Sequence, residues 1–175
     1  MNKKQEAFWK LTPEKQRVAI AKDVIKQLEL LKIKPKLNSG YVDLAKSYVG
    51  APDAQVCDVV ANQKCTVCAL GGMMVSAVQL ADKLRVSDIA SEWEGIASVG
   101  YLGADICYDY LRTFFTREQL RQIEAAFEGW TEIRGVPYKK FEPKVRGAAN
   151  RMILVMKNII KNKGTFVWPK EKVAC

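Results

Sequence analysis

The spacing most suggestive of chemistry in this chain is Cys65-Thr66-Val67-Cys68, two thiols separated by two residues. At the start of a helix, free N–H groups and the helix dipole favour a thiolate, the species that redox and nucleophilic cysteines need. Thioredoxin-like use of such a pair needs a βαβ setting, and none is evident in the sequence. A zinc site needs two more ligands, which Cys57 and Cys107 could supply, but the second CxxC that makes such sites convincing is missing. Buried free cysteines are ordinary small hydrophobes, and that is the leading reading. No metal or cofactor is therefore expected, with Cys57, Cys65, Cys68 and Cys107 as the fallback ligand set.

The chain contains no histidine. That excludes Ser-His-Asp and Cys-His catalysis, HExxH zinc chemistry and Cys/His zinc fingers. Among carboxylates, Glu92, Glu94, Asp105 and Asp109 are candidates, and Asp105 with Asp109 would share a helix face at i, i+4. Such a pair does general acid–base work if burial separates the two pKa values, or holds Mg²⁺ together with a phosphate. An acidic solvent-facing stripe reads the same way. No P-loop, GxGxxG or GxSxG motif occurs, and Gly71-Gly72 is too generic to argue for a nucleotide. The expectation leans away from an enzyme.

Charge is the next signal. The 28 Lys and Arg against 19 Asp and Glu give a formal +9, which favours acidic or polyanionic partners. It is unevenly spread: residues 1–40 carry +6, residues 41–132 carry −6 and residues 133–175 carry +9. On a helical wheel the last helix places Lys144, Arg146, Asn150, Arg151, Lys157, Asn158 and Lys161 opposite its apolar residues, apart from Leu154. Cations beside amides suit phosphate contacts. The same residues also read as a solvated face, or as partners of the chain's own acidic middle. Tyr138, Phe141, Phe166 and Trp168 lie near these cations and could stack on bases or complete a core.

The elements that must carry these residues read as mainly helical. Thr12 as N-cap and Pro13 at the first helical position open a helix to about Leu31, with Val18, Ala21, Val24, Ile25, Leu28 and Leu31 on one face. Val56-Cys57-Asp58-Val59-Val60 reads as a short strand, with Gly40-Tyr41-Val42 as its partner. Val67 to Leu84 reads as a central helix whose Gly71-Gly72 lets a neighbour approach closely. Tyr101 to Phe115 is helical in its second half. Thr116 to Gln119 is a capping box opening a helix that stops at Gly129. A last helix starts near Pro143 and stops at Gly164. At 175 residues this predicts one domain. It is a mainly α bundle of about five helices, with a small two-stranded β piece between the first and second long helices. Residues 1–11 and 169–175 are expected to be flexible ends.

No apolar leader precedes Thr12, and the most apolar run, Val67 to Val78, is too short to span a bilayer. Five cysteines, an odd number, read as reduced thiols in a cytosol. No membrane association is expected.

Several segments together resemble small, largely uncharacterised accessory proteins of tailed bacteriophages. They are Arg17 to Ile25, Cys65 to Gly71, Gln119 to Glu128, Asn150 to Leu154 and Lys157 to Phe166. The resemblance implies a phage protein working in the bacterial host cytosol, where such proteins commonly bind host factors, components of antiviral defence among them. The leading expectation is a non-enzymatic protein that binds a host protein or nucleoprotein, with a defence nuclease as one candidate target, through its basic terminal segments. Direct nucleic-acid binding is the second reading, and a small cysteine-based redox protein or enzyme the third.

Overall fold

The computed structural model of the chain describes residues 2–38, 40–89, 91–93, 96–130, 132–133, 136–137 and 147–168. Helix α1 (Lys3–Trp9) is closed by Asn2, whose side chain accepts from the Lys4 and Gln5 N–H groups while Gln5 Oε1 accepts from Asn2 N. Asn followed three residues later by Gln is the sequence signal of this reciprocal cap. Helix α2 (Pro13–Glu29) starts as expected, with Thr12 as its cap.

Strand β1 (Ile33–Pro35) follows, then the nine-residue β2 (Val42–Gly50), helix α3 (Val56–Ala61), strand β3 (Cys65–Val67) and helix α4 (Ala69–Ala81). A single 3-10 turn (Val86–Asp88) leads to β4 (Ser91–Trp93) and β5 (Ile96–Leu102). The chain continues through α5 (Ala104–Leu111), α6 (Arg117–Glu128), the short pair β6 (Glu132–Ile133) and β7 (Val136–Pro137), and α7 (Ala148–Lys161).

The strands β1 to β5 form one sheet in the order β1-β3-β2-β5-β4. The β1–β3 pair is parallel; the β3–β2, β2–β5 and β5–β4 pairs are antiparallel. Seven helices and a five-stranded mixed sheet among the described residues make this an α/β fold, so the expected mainly α bundle of about five helices with a two-stranded piece is corrected. The expected strand over Val56 to Val60 is helix α3: Val56, Cys57, Val59 and Val60 are buried and Asp58 is exposed, which is helical and not alternating spacing. Val42 is in a strand as expected, but its partners are Val67 and Leu102. Strands β1 and β3 are three residues each, too short to show a period of two, and Pro35 is tolerated because β1 is an edge.

Helix α4 is the core. Of its thirteen residues only Gln79 is not fully buried, and α1, α2, α3, α5 and α6 all pack on it. Cys68 caps its N-terminus, with Sγ accepting from Gly71 N at 3.4 Å. Trp9 Nε1 donates to Ala81 O at its C-terminal end, 2.8 Å away. Helix α6 begins and ends where the sequence placed it: Thr116 Oγ1 accepts from Gln119 N at 3.2 Å, and Gly129 adopts φ 79°, a left-handed stop that glycine takes without strain.

Candidate functional site

The seven residues of the expected basic binding face have different environments. Lys144 and Arg146 lie outside the described residues. Asn150, at the start of α7, is exposed, as are Lys157 and Lys161, which fall one turn apart. Arg151 is half-buried, and its guanidinium donates to Phe127 O at 2.9 Å, tying α7 to the end of α6. Asn158 works as a clamp: its Nδ2 donates to Val167 O at 2.7 Å, and its Oδ1 accepts from Val167 N at 2.8 Å. Gln119 does the same for Phe166 from the other side, at 2.7 and 3.3 Å. The two amides stand in for a neighbouring strand, so the chain after α7 is held without one. Phe166 is fully buried and meets Trp168 edge to face at 5.5 Å, which makes it a core residue and not a base-stacking platform. Tyr138 and Phe141 lie outside the described residues.

Tertiary structure adds something that spacing did not show. Helices α2 and α7, from the two basic ends of the chain, pack side by side. Arg17 on α2 fastens them: Nε donates to Gly164 O at 2.8 Å and Nη1 to Phe114 O at 3.1 Å. Gly164 has φ 94°, and a side chain there would press on Glu14 O, so only glycine lets the end of α7 approach α2 this closely. Between the two helices runs an open groove of about 640 Å³. Leu11, Val18, Ala19 and Ile160 provide its half-buried apolar floor, and Lys15, Lys22 and Lys163 its exposed basic rim. Among the described residues none of these three lysines forms an ion pair; Glu14, the one acid on the rim, faces Arg17 at 3.6 Å.

A second polar cluster is internal. Glu124 on α6 is 6% exposed and accepts hydrogen bonds from two phenols, Tyr41 OH and, at 2.6 Å, Tyr108 OH. Burial, then the Glu124 contact, push the Tyr41 pKa well up, so the phenol keeps its proton and donates. Glu128, one turn on, accepts from Asn38 N at 2.7 Å; its pKa is raised, chiefly by burial. Sequence reasoning missed this cluster. Its signal was Glu124 in phase with Leu120 and next to Ile123, a carboxylate on the core face of α6.

The four cysteines among the described residues, Cys57, Cys65, Cys68 and Cys107, are all buried. Burial pushes the Cys65 thiol up to about 11 and the Cys68 thiol up to about 12, despite the helix N-terminus that Cys68 caps. Cys57 is also pushed up to about 12, by burial and by Asp82, to which its thiol donates at 2.8 Å. Desolvation outweighs the dipole at Cys68, which opposes the thiolate reading. Among the described residues no three Cys, Asp or Glu side chains come together as a metal site. A Cys175→Ser variant should therefore react with iodoacetamide at pH 8 far more slowly than free cysteine until urea unfolds it. Native alkylation at the free-thiol rate would restore the redox reading.

Asp105 and Asp109 lie on α5 as the i, i+4 pair expected, both exposed; Glu92 is on β4, and Glu94 lies outside the described residues. No helix among the described residues is long and apolar enough to cross a membrane. Comparison with protein families, curated proteins and solved structures finds no match to this chain.

Proposed function

We propose that this protein is a non-enzymatic accessory protein of a tailed bacteriophage that docks on a host protein in the bacterial cytosol through its α2–α7 face. The observation that carries the reading is the groove there, apolar along its floor and lysine-rimmed at Lys15, Lys22 and Lys163. Half-buried Leu11, Val18 and Ile160 offer apolar area for another protein's side chains, and the lysines select a partner segment bearing acids. Nucleic-acid backbone needs the cations but gains little from such a floor. That favours a protein or nucleoprotein over bare nucleic acid. A defence nuclease remains the candidate target class, met on an acidic surface and not in its own positively charged channel.

The test is a pull-down from bacterial lysate, with and without nuclease, comparing the wild type with Lys22→Glu/Lys163→Glu. Both lysines are exposed, so the charge reversal should leave the fold intact. A specific host protein should survive nuclease and be lost by about tenfold or more in the variant, because like charges across an interface cost several kcal/mol. Capture that disappears with nuclease would transfer the function to nucleic-acid binding. Undiminished capture by a folded variant would remove the groove from it.

A further inference from the structure

The junction of α5 and α6 holds a second concavity, smaller and more enclosed than the α2–α7 groove, of about 100 Å³. One face of α5 lends it Asp105, Tyr108 and Asp109, and the C-cap of α5 lends Arg112; one face of α6, at i and i+4, lends Arg117 and Arg121. Three guanidinium groups and two carboxylates thus line one cavity, yet only Arg112 and Asp109 pair, at 3.7 Å, with both side chains more than half exposed. A bridge that exposed contributes little. Among the described residues neither Arg117 nor Arg121 forms an ion pair. Glu118, the acid of the same turn, accepts from the Gln122 amide at 3.1 Å.

The position of these two arginines is electrostatically unfavourable. Arg117 is the first residue of α6, at the end where the dipole is positive and acids are preferred, and Arg121, one turn on, sets a second cation beside it. Real proteins break such local rules at functional or strained sites. An anion in the cavity would turn this repulsion into attraction. Guanidinium groups suit that task because their planar forks meet phosphate oxygens in pairs. The wall opposite is rigid, since Tyr108 is fixed through its hydroxyl to buried Glu124.

We infer that this cavity binds a phosphate monoester. Arg117 and Arg121, assisted by Arg112, take the phosphate oxygens. The cavity is small, about 100 Å³, and opens to solvent on one side, so the phosphate enters it and the carrier stays at the mouth. There Asp105, exposed and without an ion pair among the described residues, accepts from the carrier's hydroxyl groups. The site is separate from the α2–α7 face and does not depend on the host-protein reading.

The same chemistry is offered by a small sugar phosphate and by the 5′ end of an oligonucleotide, and the test separates them. Wild-type protein would be titrated at physiological salt with inorganic phosphate, ribose 5-phosphate, ribose, and one oligonucleotide with and without its 5′ phosphate. Binding would be followed by calorimetry and by amide shifts of residues 117–122. Saturable binding of phosphate and ribose 5-phosphate, but not ribose, is expected, with amide shifts at the start of α6. Preference for the 5′-phosphorylated oligonucleotide would extend the ligand to nucleic-acid ends. Arg117→Gln/Arg121→Gln should weaken binding by about tenfold or more, while Lys22→Glu/Lys163→Glu leaves it unchanged. No saturable binding by the wild type would overturn the inference. So would shifts confined to surface lysines, whereas oligonucleotide binding indifferent to the 5′ phosphate would confine the ligand to small phosphate esters.

Discussion

Gly71→Ala is expected to be the most damaging single-methyl change in this protein, while Gly72→Ala one position later should be neutral or stabilising. A Cβ at residue 71 would overlap the backbone carbonyl of Tyr41, which also accepts from Cys68 N at 3.3 Å. Backbone cannot rotate out of the way as a side chain can, so β2 and α4 must separate. Overpacking of that kind costs about 3 kcal/mol or more. At residue 72 the new methyl meets Met152 Sδ at 3.4 Å and Ile33 Cδ1 at 3.5 Å, ordinary van der Waals contact. There the helix gains up to about 1 kcal/mol from replacing glycine. Urea midpoints of the two variants decide it. Equal midpoints would show that β2 does not lie against α4 in this way.

The second large effect is expected at Glu124. Replacement by alanine removes the shared acceptor of Tyr41 OH and Tyr108 OH and strands two hydroxyls beside a new void. Leaving buried donors unsatisfied costs about 1–3 kcal/mol each, so a loss of about 3 kcal/mol follows. Glu124→Gln keeps one acceptor oxygen but faces its amide donors toward phenols that also donate, and should fall between the two. The combination Glu124→Leu, Tyr41→Phe and Tyr108→Phe removes donors and acceptor together and should recover most of the stability. If the alanine variant melts with the wild type, the hydrogen-bonded triad is not holding β2, α5 and α6 together.

These two predictions also separate what could be read early from what could not. The close approach at Gly71-Gly72 was visible as a pair of glycines in an apolar helix, but not which of the two faces a backbone. That depends on Tyr41, thirty residues upstream. Glu124 was visible as a carboxylate on an apolar face, yet its partners come from the residue just before β2 and from α5. Long-range partners leave no local trace, because pairing imposes geometry on residues whose order in the chain is unrelated.

The sequence by itself determined the longer helices, and the reasons are local. Thr12-Pro13 starts α2, and Thr116 and Gly129 bound α6, because caps and left-handed stops act within one turn of the residue that makes them. It also determined the charge pattern, and its lack of histidine closes several kinds of chemistry outright. Only the tertiary structure decided the sheet, whose outer strands are too short to carry a period and are defined by pairing alone. It alone brought α2 and α7 together into a lysine-rimmed groove and closed Arg112, Arg117 and Arg121 around one cavity. Charge is a property of residues, but a binding surface is a property of which helices pack side by side: α2, α5 and α6 on α4, and α7 on α2 and α6.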